Sequence, residues 1–384
     1  MSLSRKTAVA GVYEHPSRYA PDKNMHQIMA ESIRGALDDA GLAMKDVDGL
    51  CTSGIGGMGM IGLCDYLNLT PNFVDSTSIG GSSFVAHTAH AAAAINSGLC
   101  EVCVIAYGST ASSQRFAIGT GGGGGGGDPC DQYEVPFGPT TVGLYAMIAQ
   151  RHMHDYGTKP EQLAEIAVTM RHHASMNPNA KYRDPITVAD VLASRIISSP
   201  LHLLDCCIIS DGGGALVVTS AERARDLKKK PAYILGVGET VRHAARGKRD
   251  FLEIAAAQSG RLAFQRAGVT HKDIDMAMIY DSFTITVLVT LENLGFCKRG
   301  EGGAFVTGGR LRYDGDFPIN TDGGGLSSNH PGMRGIFLVI EAAKQLRGEC
   351  GPRQVNDCKV ALVHGTGGAL GSRHSGATLI LSNQ

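Results

Sequence analysis

The sequence of 384 residues lacks a net charge of either sign, because 35 Lys and Arg residues nearly balance 36 Asp and Glu residues and leave a formal charge of -1. A chain without a strong positive charge has no broad electrostatic attraction to nucleic acid or to an anionic membrane surface. We therefore expect neither among its partners. Hydrophobic residues make up 43% and charged residues 18%, which is the balance of a globular protein with substantial cores.

The sequence also lacks a membrane span and a secretory leader. It contains no run of about eighteen apolar residues, and its first residues, MSLSRKTAVAGVYEHP, have neither a long apolar core nor a small-residue cleavage site. The ten cysteines form no spaced framework, which in a chain of this length indicates reduced thiols. We expect a cytoplasmic protein.

Three short patterns that resemble cofactor sites have simpler explanations. Cys100 and Cys103 have CxxC spacing, but they lie in a predicted buried strand without a second pair, so core packing is the better interpretation. Residues 54–59, GIGGMG, match GxGxxG, yet a chain with 51 glycines produces this pattern by chance. Seven glycines at 121–127 lack the Lys-Ser/Thr ending of a phosphate-binding loop and are interpreted as a surface loop.

Two histidine pairs are interpreted as helix-face residues: His87 with His90, and His172 with His173. A metal site would need more carboxylates or thiolates beside them. We expect no metal and no tightly bound cofactor.

An internal repeat is the main feature of the sequence. Residues 30–48 and 257–275 align without a gap and share nine identities, where about one is expected by chance. Each copy has the pattern of an amphipathic helix that ends at Ala-Gly, then a turn, then a strand. The likeness continues more weakly through one helix and one strand in each copy: residues 82–98 and 101–108, and residues 332–348 and 359–368.

The repeat predicts two βαβ-rich halves, residues 1–225 and 226–384. Strands that alternate with helices favour an α/β fold with helices on both faces of the sheets. The first half carries an extra segment at about 109–200 with no counterpart in the second. We predict two helices in it, at 139–156 and 160–175, which form a lid over the core.

Four polar segments follow the duplicated strands. Because sites in open α/β sheets form outside the carboxyl ends of strands, we expect these segments to converge. They are the turn VDSTSIGGSSF with Ser78, the segment Tyr280-Asp281-Ser282-Phe283, the glycine-rich turn from Asn320 to Gly332 with Asn329 and His330, and the strand end that holds His364, Gly367 and Gly368.

In this order, within a duplicated α/β chain, the segments resemble the thiolase superfamily, most closely its sterol-carrier-type thiolases and lipid-transfer thiolase-like proteins. The resemblance covers nearly the whole chain. It implies a thiolase fold of two βαβαβαββ halves in a five-layered α-β-α-β-α arrangement, with the extra segment over a coenzyme A channel. It also implies an acyl-CoA substrate, a homodimer and a small OB-fold zinc-ribbon partner protein.

The resemblance also assigns residues. Ser78 stands where thiolases place their nucleophilic cysteine. His330 matches the histidine of the Gly-His-Pro motif, which activates the nucleophile and contacts the thioester oxygen, although Asn329 replaces the glycine.

The remaining two motifs agree in part. His364, followed by Gly367 and Gly368, matches the histidine that sterol-carrier-type members have in place of a second cysteine. In the His-Asp-Cys-Phe motif, Asp281 agrees, whereas Tyr280 replaces the histidine. Asp281, Asn329, Gly367 and Gly368 are therefore candidates for substrate binding.

Three functions remain open. The first is a thiolase-like acyltransferase that makes or breaks a C–C bond of a β-ketoacyl-CoA, with Ser78, His330 and His364 as catalytic residues. The second is a retro-aldol lyase on a β-hydroxyacyl-CoA, with Tyr280 as acid or base and no covalent intermediate. The third is a non-catalytic acyl-CoA-binding subunit. Ser78 itself is a nucleophile, a hydrogen-bond donor or a helix N-cap.

Overall fold

The computed structural model describes residues 3–56, 58–115, 131–243 and 248–384. The β-strands among them are β1 Thr7–Glu14, β2 Gly49–Thr52, β3 Phe73–Asp75, β4 Val102–Ser109, β5 Ile196–Ser198, β6 Leu201–His202, β7 Gly212–Ser220, β8 Ala232–Arg242, β9 Met276–Ile279, β10 Val360–Gly368 and β11 His374–Ser382. The α-helices are α1 Met25–Ala40, α2 Gly59–Leu67, α3 Ser83–Asn96, α4 Asp131–Glu134, α5 Thr141–Tyr156, α6 Pro160–Met176, α7 Val188–Ala193, α8 Ala221–Arg225, α9 Ala256–Ala267, α10 Thr284–Leu294, α11 Gly302–Phe305 and α12 Gly335–Arg347.

The two copies of the repeat fold alike. Helices α1 and α9 both end at a glycine in the left-handed conformation, Gly41 with φ 77° and Gly268 with φ 68°. Only glycine adopts this conformation without strain, and its N–H group caps the last carbonyls of the helix. A single 3-10 turn then leads into the buried strand, β2 in one half and β9 in the other. The predicted helix–turn–strand unit is confirmed in both copies.

One nine-stranded sheet runs through the protein in the order β3-β2-β4-β7-β1-β8-β11-β10-β9. The two halves meet where β1 pairs antiparallel with β8. Outward from this junction each half repeats one pattern: an antiparallel neighbour, a second antiparallel neighbour, then a parallel strand. The counterpart of β3 in the second half is reduced to a bridge between Ala277 and Ile319.

Helices α3 and α12 pack against each other and against strands of both halves of the sheet. Helix α1 covers the other face of the first half, and α9 covers that of the second. Both central helices are rich in small and aliphatic residues, and α12 is buried along nearly its whole length. This is the five-layered α-β-α-β-α arrangement. The predicted domain boundary falls between α8 and β8.

The extra segment of the first half forms a cap beside the second half. Its predicted helices are confirmed as α5 and α6, and the hairpin of β5 and β6 follows them. Helix α6 packs on α10 and on a single turn of π-helix, Gly324–Ser328, that precedes His330. The glycine run at 121–127 lies outside the described residues. The cap thus covers the carboxyl ends of β9 and β10.

Candidate active site

A cavity of about 470 Å³ opens where β9 and β10 end and where the chain enters α3. All four predicted segments reach it, because Gly80 and Gly81 of the first segment, Tyr280, His330 and the Gly367-Gly368 turn line its wall. The remaining wall belongs largely to the cap and the chain after it, including Val142, Tyr145, Arg195, Leu203, Cys206 and Cys207.

Tyr280 and His330 form a hydrogen-bonded pair in this cavity. The Tyr280 hydroxyl lies 2.9 Å from Nε2 of His330, and the two rings are nearly perpendicular. Burial raises the pKa of Tyr280 well above its ordinary value of 10. Burial, reinforced by the charge of Arg334, lowers the pKa of His330 to about 4. Near neutral pH the pair therefore consists of a neutral phenol and a neutral imidazole, and in the tautomer with the proton on Nδ1 the Nε2 atom accepts the hydrogen bond of the phenol.

The backbone fixes the position of His330. Its N–H group donates a hydrogen bond to the Ser210 hydroxyl at 3.0 Å, and its carbonyl oxygen accepts one from the Ser210 N–H group at 3.3 Å. The second ring nitrogen, Nδ1, has no hydrogen-bond partner within the described part of the chain. One nitrogen of the imidazole is thus committed to Tyr280.

Arg334 organises the buried wall behind the pair. Its fully buried guanidinium contacts Asp281 at 3.1 Å and both oxygens of Asp322 at 2.7 Å. Asp281 also accepts hydrogen bonds from the N–H groups of Gly325 and Leu326, at 2.8 and 3.2 Å. Burial raises the pKa of Asp281 to about 6 in spite of these contacts. Asp281 thus holds the turn that precedes His330, and its carboxylate does not line the cavity.

Asn329 belongs to the same network. Its side-chain oxygen accepts from Arg334 at 2.7 Å, and its side-chain nitrogen donates to Glu14 at 2.6 Å. Like Asp281, it is fully buried and lies outside the cavity wall. Of the four residues predicted to bind substrate, only Gly367 and Gly368 reach the cavity.

The cavity wall at the entry to α3 consists of two glycines, Gly80 and Gly81. Gly80 has a φ of 68°, and a Cβ atom on Gly81 would lie 2.3 Å from the ring of Tyr280. No side chain fits there beside the tyrosine. Ser78 lies before these glycines, is exposed, and is not part of the cavity wall. Its N-cap interpretation is wrong, because the N-cap residue of α3 is Ser82.

His364 is fully buried in the sheet. Its Nδ1 atom lies 2.9 Å from the hydroxyl of Thr378 on the neighbouring strand, and its imidazole is not part of the cavity wall. Burial, with the nearby His374, lowers the pKa of His364 to about 3. Its backbone does reach the site, because its carbonyl oxygen accepts the N–H of Tyr280 at 2.9 Å. The structure thus brings together His330 and Tyr280 and leaves Ser78 and the His364 imidazole outside the cavity.

Sequence reasoning missed Tyr145, which the cap contributes through α5. Its ring lies 4.5 Å from the ring of Phe283, and its hydroxyl donates to the carbonyl oxygen of Gly368 at 3.0 Å. Tyr145 therefore joins the cap to the glycine turn of the site. The helical pattern of the extra segment gave α5, but nothing in the repeat indicates which face of α5 meets the site.

Two neighbouring cysteines were also missed. Cys206 and Cys207 line the cavity, and the Cys207 N–H group donates to the carbonyl oxygen of Ser282 at 2.9 Å. Burial raises the pKa of Cys206 to about 12 and raises that of Cys207 further. Both thiols thus stay protonated near neutral pH, and neither has the thiolate character of a nucleophile.

The other predicted histidines lie elsewhere. His90 connects the two halves, because its ring lies 2.5 Å from Asp75 and 3.0 Å from Glu239. Those two carboxylates raise the pKa of His90 to about 10. His173 is fully buried and bonds the backbone of Tyr313 and Asn320.

Within residues 3–56, 58–115, 131–243 and 248–384, no three His, Cys, Asp or Glu side chains are grouped as metal ligands are. None of the helices described there is both long enough and apolar enough to cross a bilayer.

Comparison with known proteins places the chain in a family. Residues 238–383 match the family model "Thiolase C-terminal domain-like". An acetyl-CoA acetyltransferase of Methanothermobacter thermautotrophicus is 33% identical over 382 residues, which cover 96% of this chain and 98% of that protein. The chain belongs to the thiolase superfamily.

Its relatives within the superfamily include carbon–carbon lyases. A steroid side-chain-cleaving aldolase of Thermomonospora curvata is 36% identical, over 95% of this chain and 96% of that protein. The solved structure of the Ltp2-ChsH2(DUF35) aldolase superposes with a TM-score of 0.88 at 34% identity, and covers 99% of this chain and 98% of that one. This protein is thus a thiolase-like enzyme that acts on a C–C bond of acyl-CoA thioesters, with both acyltransferases and aldolases among its relatives.

Proposed function

We propose that the protein is a retro-aldol lyase that cleaves β-hydroxyacyl-CoA thioesters into acetyl-CoA and a carbonyl compound. One observation carries this proposal: the cavity holds the hydrogen-bonded pair of Tyr280 and His330, while its wall at the entry to α3 consists of glycines without a nucleophilic side chain. A retro-aldol reaction needs a proton acceptor and a proton donor but no acyl acceptor.

The pair supplies both. The β-hydroxyl proton of the substrate passes to the oxygen of Tyr280 as the phenol proton passes to Nε2 of His330. The bond between the α- and β-carbons breaks, the β-carbon becomes a carbonyl, and the electron pair forms the thioester enolate. The proton then returns through Tyr280 to the α-carbon and yields acetyl-CoA. No group is consumed, and His330 is cationic only within the cycle.

Developing charge on the thioester oxygen needs stabilisation. Gly80 and Gly81 line the cavity at the N-terminal end of α3, where backbone N–H groups and the helix dipole favour negative charge. The neutral form of His330 supports the proton transfer from Tyr280, because a base that is unprotonated at neutral pH can accept a proton.

The experiment compares two reactions of the purified protein. Incubation with a β-hydroxyacyl-CoA alone should give acetyl-CoA and a ketone or aldehyde, and Tyr280→Phe should lower the rate by about 10²–10⁴-fold. Incubation with a β-ketoacyl-CoA and free coenzyme A should give no thiolysis. An acyl adduct on the protein under turnover, seen by intact mass, would contradict the proposal.

Acyl transfer on a β-ketoacyl-CoA is the second candidate, and the acetyl-CoA acetyltransferase relative favours it. It requires an acyl acceptor, and Ser78 would have to move into the cavity to serve as one. Thiolysis in the second incubation, lost in Ser78→Ala, would establish this reaction. A protein that turns over neither substrate would be the acyl-CoA-binding subunit.

The proposal includes assembly and location. Among the strands of the described residues, β3 ends the sheet and pairs with β2 alone, and Val74 on it is 51% exposed. An open edge of this kind is a site for pairing with a second copy, and we propose a homodimer. Sedimentation should show a dimer that Val74→Lys weakens, and a monomeric wild-type protein would contradict it. The nine cysteines in the described residues are all free, which supports a reduced, cytoplasmic setting.

The proposal also includes a small OB-fold zinc-ribbon protein as partner, supported by the related aldolase whose name includes a DUF35 component. Adding such a protein should raise kcat/KM for the thioester in the lyase assay. Full lyase activity of the isolated chain, with no increase in kcat/KM when the partner protein is added, would contradict the need for a partner.

A further inference from the structure

The duplication creates a second cavity, of about 580 Å³, at the equivalent place in the first half. The active-site cavity lies between the residues after β9, the end of β10 and the entry to α3. The second cavity lies between Gly54 after β2, Gly108 and Ser109 at the end of β4, and Gly332 and Met333 at the entry to α12. The second cavity is thus enclosed by β2, β4 and α12, which are the equivalents in the repeat of β9, β10 and α3 around the active-site cavity.

The two cavities adjoin. Gly332 and Met333 line both of them, directly after the segment that holds His330. The methyl end of Met333 lies over Gly54, because a Cβ atom on Gly54 would be 2.4 Å from it. The Met333 side chain is therefore the partition between the cavities. Methionine is unbranched and adapts to different shapes, so this partition can yield to a ligand.

The walls of the two cavities differ in charge. The active-site cavity includes Arg195, whereas no Lys, Arg, Asp or Glu among the described residues lines the second cavity. Met25, Tyr107, Ala111 and Pro331 supply apolar surface. The wall also contains polar groups, among them His26 and Gln114, but no described Lys or Arg pairs with a phosphate there, and its apolar surface suits a hydrocarbon group.

We propose that the second cavity binds the hydrocarbon skeleton of the carbonyl product, which before cleavage is the β-substituent of the thioester. This inference rests on the proposed lyase function. The reaction separates an acetyl thioester from a ketone or aldehyde, and the protein has one cavity on each side of the Gly332-Met333 segment for the two fragments. A bulky cyclic skeleton suits the second cavity, whose volume is about 580 Å³.

The test uses one substitution that both narrows the second cavity and reports ligand binding through its fluorescence. Gln114 is exposed at the rim of the second cavity, and the chain contains no tryptophan. Gln114→Trp therefore narrows the cavity and adds a single tryptophan, whose emission is selected by excitation at wavelengths that tyrosine does not absorb. The control is Gln258→Trp, at an exposed position of α9 that lines neither cavity.

Two thioesters of tertiary β-alcohols are compared. One is β-hydroxy-β-methylbutyryl-CoA, which yields acetone, and the other carries the hydroxyl-bearing carbon within a decalin ring and yields decalone. Gln114→Trp should lower the kcat/KM ratio of the decalin to the dimethyl substrate by about tenfold, as loss of space for several methylenes does. Decalone should shift the tryptophan emission of Gln114→Trp, and acetyl-CoA should not. Gln258→Trp should show neither effect.

An unchanged ratio together with an unresponsive emission would overturn the inference. A changed sedimentation of Gln114→Trp with an unchanged kcat/KM ratio would also overturn the inference, because the rim of the second cavity would then be a protein interface. If wild-type protein cleaves neither thioester, the proposed function fails, and the decalone titration still decides whether the cavity binds the skeleton.

Discussion

The hydroxyl of Tyr107 donates a hydrogen bond to the carbonyl oxygen of Pro331 at 2.6 Å and accepts one from the N–H group of Met333 at 3.1 Å. Tyr107 lies on β4 in the first half, and the segment that it holds follows His330 in the second half. The residue after the proposed proton acceptor is therefore positioned by a side chain from the other copy of the repeat. Burial raises the pKa of Tyr107 to about 12, so it remains a donor.

Tyr107→Phe should lower kcat by roughly tenfold with little change in KM, because the loss of two hydrogen bonds of about 1 kcal/mol each lets the His330 segment move. Steady-state kinetics with a β-hydroxyacyl-CoA check this, and Tyr19→Phe, at a position that is 63% exposed, is the control. A variant that loses stability in urea but keeps the wild-type kcat would show that Tyr107 supports the fold alone.

Ser78→Ala should retain lyase activity within about twofold, since a side chain outside the cavity contributes nothing to transition-state binding. His330→Gln should lose about 10²–10⁴-fold, as expected for a general acid–base group. Both rates come from the same assay of acetyl-CoA release. Equal losses in the two variants would restore Ser78 as a catalytic residue.

The repeat made much of the fold predictable. Identities such as Gly41 with Gly268 mark the ends of α1 and α9, where a left-handed residue is required in each copy. The order of strand ends then placed Tyr280 and His330 at one site. Ser78 shows the limit of this reasoning. The chain turns at Gly80, so side chains that are close in sequence point in different directions, and the sequence alone does not tell which of them faces the cavity.

The cap was less predictable, because it has no counterpart in the second half. Tyr145 and Cys207 reach the site through tertiary contacts with Gly368 and Ser282, far away in the chain. The position of the His364 side chain was not predictable either, and its catalytic role stays a prediction. Its motif suggested chemistry, whereas its side chain lies on the face of the sheet opposite α3, because strand residues alternate between faces and its neighbour Gly365 faces α3.

Arg195→Gln should raise KM for the CoA thioester by about three- to tenfold at unchanged kcat, because the arginine is a cationic group in the cavity wall and coenzyme A carries phosphates. The effect should shrink at high salt, which screens exposed charges. Arg261→Gln, at an exposed position of α9, is the matched control. A fall in kcat with constant KM would instead place Arg195 in the chemical step.

The free energy of unfolding should fall as the pH is lowered from 6.5 toward 4. Burial lowers the pKa of five histidines to about 3 or 4: His87, His173, His330, His364 and His374. Below pH 6.5 the unfolded chain binds protons at these residues and the folded chain does not, so unfolding is favoured. Each contributes roughly 1.4 kcal/mol per pH unit in this window.

Asp281 acts in the opposite direction, because burial raises its pKa from the ordinary 3.8 to about 6, so the folded chain holds that proton between about pH 6 and 3.8 where the unfolded chain does not. One carboxyl group offsets about one histidine, so the net slope keeps its sign. Urea unfolding at several pH values measures the slope of the free energy of unfolding against pH. His364→Gln should reduce this slope by about 1.4 kcal/mol per pH unit, the contribution of one proton. A free energy of unfolding that stays constant from pH 6.5 to 4.5 would show that the buried histidines take up protons in the folded protein.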